Sequence, residues 1–234
     1  VYQIASRMSH SRSPFHTTLM RLICKMTIDH PHHCLYQLFA LSNSDQVDPS
    51  QALKGQFQVD ADKQKAATRL MSSLRSSPIK AILGSMEVLV SAYIATANKS
   101  SSRLKDKKKG TPHRLPAELA SLKDLRAVAV TTSHLPVSPA AAYPNVVGIH
   151  KFDDHFQLVG GKNRPKKVTC VGNDAKAYLQ LIKGKDDLRQ DAVMEQLFDM
   201  VNNLLQQNPE TRKRNLSIRT YKVIPLSPSA GLLE

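Results

Sequence analysis

The spacing of apolar residues changes character along this chain, and that change constrains the fold more than any other feature of the sequence. For about the first hundred residues the period is helical. Leu19, Leu22, Ile23 and Met26 fall on one helix face. Pro31 sits where a helix can begin, with Asp29 before it as a usable cap, and Leu35, Leu38, Phe39 and Leu41 continue an apolar stripe. Residues 43–55 are polar and rich in turn formers, which predicts a loop. A third helix begins near Asp60, carries Ala66, Leu70, Met71 and Leu74, and breaks at Ser76-Ser77-Pro78. A fourth covers residues 79–97. Its stripe of Ile82, Leu83, Met86, Leu89, Val90, Tyr93 and Ile94 is wide enough to require a packing partner. These read as stacked antiparallel helices.

Residues 99–144 break the pattern. They hold five of the 13 prolines and admit at most a short helix near 117–125 and a strand at 127–131, so they read as a connector. Beyond Asn145 the period becomes two. Short β-rich runs at 146–149, 156–159, 167–171 and 178–183 are separated by the turn signals Gly160-Gly161 and Gly172-Asn173-Asp174. Alternation in the last run puts Leu179, Leu181 and Lys183 on one face. The strongest helix follows. Asp187 can cap it, Gln190 three residues on suggests a capping box, and Met194, Leu197, Phe198, Val201, Leu204 and Leu205 share a face. Asn208-Pro209 ends it. Residues 216–225 read as a further strand, before a turn at Ser227-Pro228-Ser229 and a final pair, Leu232-Leu233. The fold class is therefore α+β: an antiparallel helical array, then a lobe of antiparallel strands with one long helix.

Composition narrows the function classes. Hydrophobic residues make up 41% and charged residues 22%, which excludes wholesale disorder. The 234 residues suit one large domain or two small ones. No run of about 18 apolar residues predicts a membrane span. The first residues lack a signal-peptide pattern, and no initiator Met stands there, so a piece of a longer protein is expected. Cys24, Cys34 and Cys170 have no shared short spacing and read as reduced thiols of an intracellular protein. Lys and Arg number 33 against 19 Asp and Glu, a formal charge of +14. Seven of the basic groups and one acid lie in residues 99–114. Such a run can meet nucleic acid, though it holds no aromatic residue to stack on a base, and a solvated linker is the simpler reading.

Two stretches could carry chemistry. The first is Lys183-Gly184-Lys185-Asp186-Asp187-Leu188-Arg189-Gln190-Asp191. A lysine at the end of a half-buried strand, followed by an acidic turn, is aimed into whatever cleft the strand lines, where its ammonium needs an anion. Asp186 can supply one and a nucleotide phosphate another. The second is the hairpin tip Gly160, Gly161, Lys162, Asn163, Arg164, Pro165, Lys166 and Lys167. Its glycines and positive charge could cover phosphates, although it matches neither the dinucleotide nor the P-loop pattern. The cluster His30-Pro31-His32-His33-Cys34 fits no zinc spacing.

The Lys183 to Asp191 stretch closely resembles the K-x-x-D/E-D-L-R-Q-D signature of the phosphatidylinositol 3-kinase-related protein kinases. Thr220-Tyr221-Lys222-Val223-Ile224-Pro225-Leu226-Ser227 and Gly231-Leu232-Leu233-Glu234 resemble the same family. The resemblance implies an ATP site. Lys183 would bind phosphate with Asp186 as its ion-pair partner. Asp191 and Tyr221 would line the inner end of the adenine pocket, and Leu158, Ile182 and Leu233 would sandwich the ring. Leu233-Glu234 would begin the hinge, and Gly160 to Lys167 would form the phosphate loop. Residues 1–43 would be the end of the FAT region, 44–148 a reduced helical insert and basic connector, and 149–234 a kinase N-lobe truncated at the hinge, with the C-lobe absent. The family's G-D-R-H-x-x-N and D-F-G motifs do not occur in these residues, so the chain alone is expected to be inactive, without catalytic residues or metal ligands of its own. The resemblance further implies ATP with Mg²⁺ or Mn²⁺, protein substrates, DNA-damage sensor proteins and indirectly DNA ends as partners, a homodimer, no membrane, and a nuclear protein of the DNA-damage response. A lipid kinase of the same superfold and a basic scaffold for nucleic acid are the alternatives.

Overall fold

A computed structural model describes residues 2–46, 59–100, 110–161 and 163–234. The helical half comprises α1 (Tyr2–Ala5), α2 (Pro14–Asp29), α3 (Pro31–Ser42), α4 (Ala61–Leu74) and α5 (Lys80–Asn98). Local chemistry sets most of their starts. Ser13 caps α2 by accepting the His16 N–H, with Pro14 at the first helical position. Asp60 caps α4 by accepting from the Lys63 N–H at 3.1 Å. Helix α3 opens at Pro31 as the sequence predicts, but His30 occupies its cap position and no side chain caps it. Asp29 pairs instead with Lys25, one turn back on α2, at 2.7 Å. The predicted loop at 43–55 lies mostly outside the described residues, as do residues 101–109 of the basic run and Lys162.

Helix α5 is the axis of the molecule. Leu83, Met86, Leu89, Val90, Tyr93 and Ile94 are all buried, and the helix packs against α3 on one side and the sheet on the other. By length and composition it could cross a membrane, but half of it is enclosed within the protein, as in a core helix. Each fully buried aliphatic side chain here stabilises the fold by about 1.5–3 kcal/mol.

The remaining elements are β1 (Pro112–Arg114), α6 (Ala117–Ala120), β2 (Lys123–Ala129), β3 (Gly148–Phe152), β4 (His155–Leu158), β5 (Lys166–Gly172), β6 (Ala177–Gly184), α7 (Arg189–Gln207), α8 (Pro209–Lys213), β7 (Val223–Ser227) and β8 (Ala230–Leu233). The strands form one antiparallel sheet in the order β1-β4-β5-β6-β8-β7, with β3 also on β5 and β2 on β3. The sheet reaches further back than the sequence reading. Pro112–Arg114 and Lys123–Ala129, within the span read as connector, are both paired strands, and the predicted helix near 117–125 stops at Ala120. In contrast, residues 216–222, read as strand, lie outside it; the strand begins at Val223. The final apolar pair belongs to β8, which returns after the Ser227-Pro228-Ser229 turn to pair with β6 and β7.

Two buried polar groups join the halves. Tyr36 of α3 shares a hydrogen bond with Thr131 at 3.0 Å. Tyr93 of α5 donates to the Gln180 side-chain carbonyl of β6 at 2.7 Å. Buried bonds of this kind are strong only when every partner is present.

Helix α7 departs from its sequence reading twice. No capping box forms: Leu188 takes the cap position without a side-chain bond, while Asp187 accepts the Arg189 N–H and grips its guanidinium at 2.7 and 2.8 Å. The apolar face is also largely uncovered, with Leu197 47% and Leu204 63% exposed. The helix is moored to the sheet through Ala192 and Glu195, its two buried residues.

Candidate functional site

Strict alternation on β6 sorts the candidate residues onto two faces. Cross-strand partners point the same way. One row runs Leu158, Lys166, Ile182, Leu232, Ile224 from β4 to β7. It faces inward, toward α5. The next row runs Gln157, Lys167, Leu181, Leu233, Val223. It faces the other way, where Leu233 (6% exposed) and Val223 are buried with Leu188 and Ala192 in a small second apolar cluster, and Leu181 packs against it half-buried. Lys183 lies on this second face, beside Leu181 and opposite Gly231.

The Lys183 side chain is 24% exposed, and its Nζ stands 3.3 Å from an Asp186 carboxylate oxygen. The turn between them holds its shape because Lys185 adopts a left-handed conformation (φ 60°) and the Asp186 N–H points to the Ser229 carbonyl. A partly exposed pair of this kind contributes at most about 1 kcal/mol to stability. Its consequence is positional: the ammonium is held at the edge of an apolar patch with donors to spare.

The glycine hairpin approaches the same turn. Its neck closes through Val159 N–H to the Pro165 carbonyl at 2.8 Å. Gly161 has φ 123°, a conformation that side chains rarely adopt. Asn163 Nδ2 donates to the Lys185 carbonyl at 3.0 Å, fastening the loop to the residues after Lys183. Gly160 and Gly161 are exposed at the tip, Arg164 and Pro165 half-buried, and Lys167 exposed on the Lys183 face.

Three residues named from the sequence stand elsewhere. Ile182 is 1% exposed and Leu158 8%, both in the main core on the inward face, so neither can sandwich a ring bound beside Lys183. Their neighbour in register, Leu181, has the orientation required; the alternation already put it beside Lys183. Lys166 is likewise inward, 4% exposed, and donates to the Ala97 carbonyl at 3.1 Å. It cannot join a phosphate loop.

Tyr221 and Glu234 stand together, lining a cavity of about 400 Å³ with Lys222, Asp199, Thr132, His32 and others. The Glu234 N–H donates to the Lys222 carbonyl and a Glu234 carboxylate oxygen accepts from the Lys222 N–H, so the end of β8 is tied down. Burial holds the Lys222 ammonium below the usual lysine range, with Glu234 opposing the shift, and its Nζ donates to the Ser133 carbonyl. Asp191 is exposed in the first turn of α7. Sequence reasoning missed Glu195, whose buried carboxylate accepts the Tyr221 N–H at 3.1 Å and links α7 to the segment before β7. Nothing in the sequence marked it, because it lies on the face of Leu188 and Ala192 rather than on the apolar stripe.

The histidine cluster surrounds Tyr143. His30 Nδ1 is 2.5 Å from the Tyr143 hydroxyl, and His32 and His33 pack on its ring. Burial lowers His32 to a pKa of about 4. Among the described residues no three His, Cys, Asp or Glu side chains converge as a metal site would require.

A profile described as phosphatidylinositol 3- and 4-kinase matches residues 178–234, and one described as serine/threonine-protein kinase ATR-like, HEAT repeats, matches residues 1–77. Serine-protein kinase ATM of Sus scrofa is 41% identical over 252 aligned residues, across 100% of this chain. The chain belongs to the phosphatidylinositol 3-kinase-related kinases. Within that family its likeness is to the ATM and Tel1 branch. The FAT and kinase domain of CtTel1 superposes with a TM-score of 0.83 at 31% identity, over 99% of this chain and 16% of that one. The complete CtTel1 dimer with C2 symmetry gives the same TM-score and identity over 99% of this chain and 8% of that one. The chain spans about 8% of the length of the ATM relative.

Proposed function

We propose that this chain supplies the nucleotide-binding face of a serine/threonine protein kinase that moves the γ-phosphoryl group of ATP to protein hydroxyls. The observation that supports this most directly is the placement of Lys183. Its ammonium is paired to Asp186, borders the apolar patch of Leu181 and Leu233, and lies next to a glycine hairpin anchored on Lys185. Phosphate oxygens need a positive charge and free donors, and an adenine ring needs apolar contact nearby. Lys183 supplies the first. Leu181 supplies the second, with Leu233 buried behind it, Tyr221 and Asp191 toward the inner end and Glu234 opening the hinge. Gly160 to Arg164 cover the phosphates, and Lys167 adds charge on the same face.

The chemistry asked of these residues is positioning and charge neutralisation. Mg²⁺ or Mn²⁺ would supply further charge neutralisation at the phosphates, with its ligands expected outside these 234 residues. The general base and the D-F-G metal ligand belong with them, so the 234-residue chain alone turns over no substrate. Residues 1–43 act as the end of the FAT scaffold, the helical insert and basic connector follow, and the N-lobe sheet takes in strands from Pro112 to Leu233. The ATM and Tel1 likeness supports a nuclear kinase of the DNA-damage response that works as a homodimer and is recruited to DNA ends by sensor proteins.

The test is Lys183→Met in the intact kinase. Loss of a phosphate-binding charge is expected to lower turnover by at least about 10²-fold with the melting temperature unchanged. Turnover within a few-fold of the parent would remove Lys183 from the role.

A further inference from the structure

We propose that Lys166 is a positioning residue for the nucleotide site: it pins the carbonyl end of α5 onto the turn that carries Lys183 and Asp186. The proposal rests on the reading of Lys183 given above.

The contact is a three-way joint. Lys166 Nζ donates to the Ala97 carbonyl at 3.1 Å. The same carbonyl lies over Gly184, where a β-carbon would come within 2.5 Å of the oxygen and 3.0 Å of the Ala97 carbonyl carbon. Gly184 is the residue after Lys183. On its other side, Lys185 has its carbonyl held by Asn163, three residues before Lys166. The segment leading into β5 therefore fastens the Lys183 turn twice: through Asn163 of the loop directly, and through Lys166, the first residue of β5, by way of the helix end.

Burial makes this an unusual use of a lysine. The side chain is 4% exposed, and among the described residues no carboxylate pairs with it. The charge of Lys185, of the same sign, acts against it. A buried ammonium without a counter-ion is costly, whereas an apolar chain of similar length would fill the same space. What the ammonium gains is a carbonyl at a helix C-terminus, where orphan acceptors and the negative end of the helix dipole lie. A strong directional bond at this point fixes where α5 ends over Gly184. The close approach leaves the turn no room to move toward the helix. Lys183 is attached to that turn by one peptide bond, so its height above the sheet follows the position of Ala97.

Two substitutions test the joint from its two sides. Lys166→Met removes the donor and the charge but keeps the length. Gly184→Ala pushes the helix end away. In the 234-residue chain, amide hydrogen exchange at residues 184–187 is expected to quicken by about tenfold or more in both, with little change in α3 or β3. In the intact kinase, both are expected to raise the KM for ATP several-fold more than they lower kcat. Lys166→Arg, which keeps a charged donor, should recover most of the loss. Unchanged exchange in the turn, or faster exchange with an unchanged KM for ATP, would overturn the proposal. So would a fall in melting temperature with no selective effect on KM. Lys183→Met, run in parallel, separates the two readings. If it is active, the phosphate role of Lys183 fails and the ATP part of this proposal fails with it. If it is inactive while Lys166→Met binds ATP normally, only the joint is wrong.

Discussion

Lys166 shows how much one orientation decides. Burial is the main cause that brings its pKa down to about 8, with Lys185 second. In the unfolded chain a lysine titrates near 10.4. The folded state therefore releases its proton first, and the penalty for holding the cation is fully present below pH 8 and relieved as pH rises toward 10. Relative to Lys166→Met, the parent chain should gain about 2 kcal/mol between pH 7 and 9.5, measured by urea unfolding at both pH values. Parallel curves would show that the amine is solvated. A second residue-scale prediction concerns Tyr93. Its hydroxyl is fully buried and donates to Gln180. Tyr93→Phe leaves the Gln180 oxygen unpaired and should cost about 1–3 kcal/mol. Adding Gln180→Leu should return part of that loss, and denaturant midpoints of the two variants would show whether it does.

At the scale of elements, α5 matters most because it touches both halves. Leu89 is fully buried on it, and Leu89→Ala is expected to cost about 2–5 kcal/mol. Because α5 packs on α3 and on the sheet strands β6 and β8, the loss should appear as one transition. Far-ultraviolet and near-ultraviolet circular dichroism should give coincident melts, and separated melts would mean the helices and the sheet fold independently. The phosphate loop illustrates the opposite case. Asn163 fastens its tip to the Lys183 turn. Asn163→Ala should leave stability within about 0.5 kcal/mol yet raise the KM for ATP of the intact kinase.

At the scale of the whole molecule, the long helix stands out. Val193, Leu197, Met200 and Leu204 are about half exposed or more, with Leu216, Ile218 and Tyr221 also open to solvent. A patch of this kind promotes association. The 234-residue chain should self-associate with rising concentration, and Leu197→Lys with Leu204→Lys should suppress this without lowering the melting temperature. Sedimentation velocity over a hundredfold concentration range is the measurement. A parent chain that stays monomeric throughout would contradict it.

Much of this protein was legible from local chemistry. Asp60 marks a helix start because a side-chain oxygen one residue before a helix satisfies an orphan N–H, while Asp29 and Asp187 gave their carboxylates to Lys25 and Arg189 instead. The alternation of Leu179, Leu181 and Lys183 held because a strand has a period of two in any context. The acid three residues after Lys183 reached it because the turn between them is short. What local chemistry left open was which face of the sheet would be covered. That depends on where α5 lies, and α5 is brought there by contacts far away in sequence. Once it covers one face, Ile182, Leu158 and Lys166 become interior, while Leu181 and Lys183 are left half-buried on the other face, where Leu188 and Ala192 bury Leu233. The same long-range packing turned part of the connector into edge strands, joined Tyr36 and Tyr93 to their polar partners, and left the apolar stripe of α7 uncovered. Sequence alone determined the periods, the turns and the charged motif. Only the tertiary structure decided which side of each strand meets the core, because burial is a property of neighbours that the chain supplies from a distance.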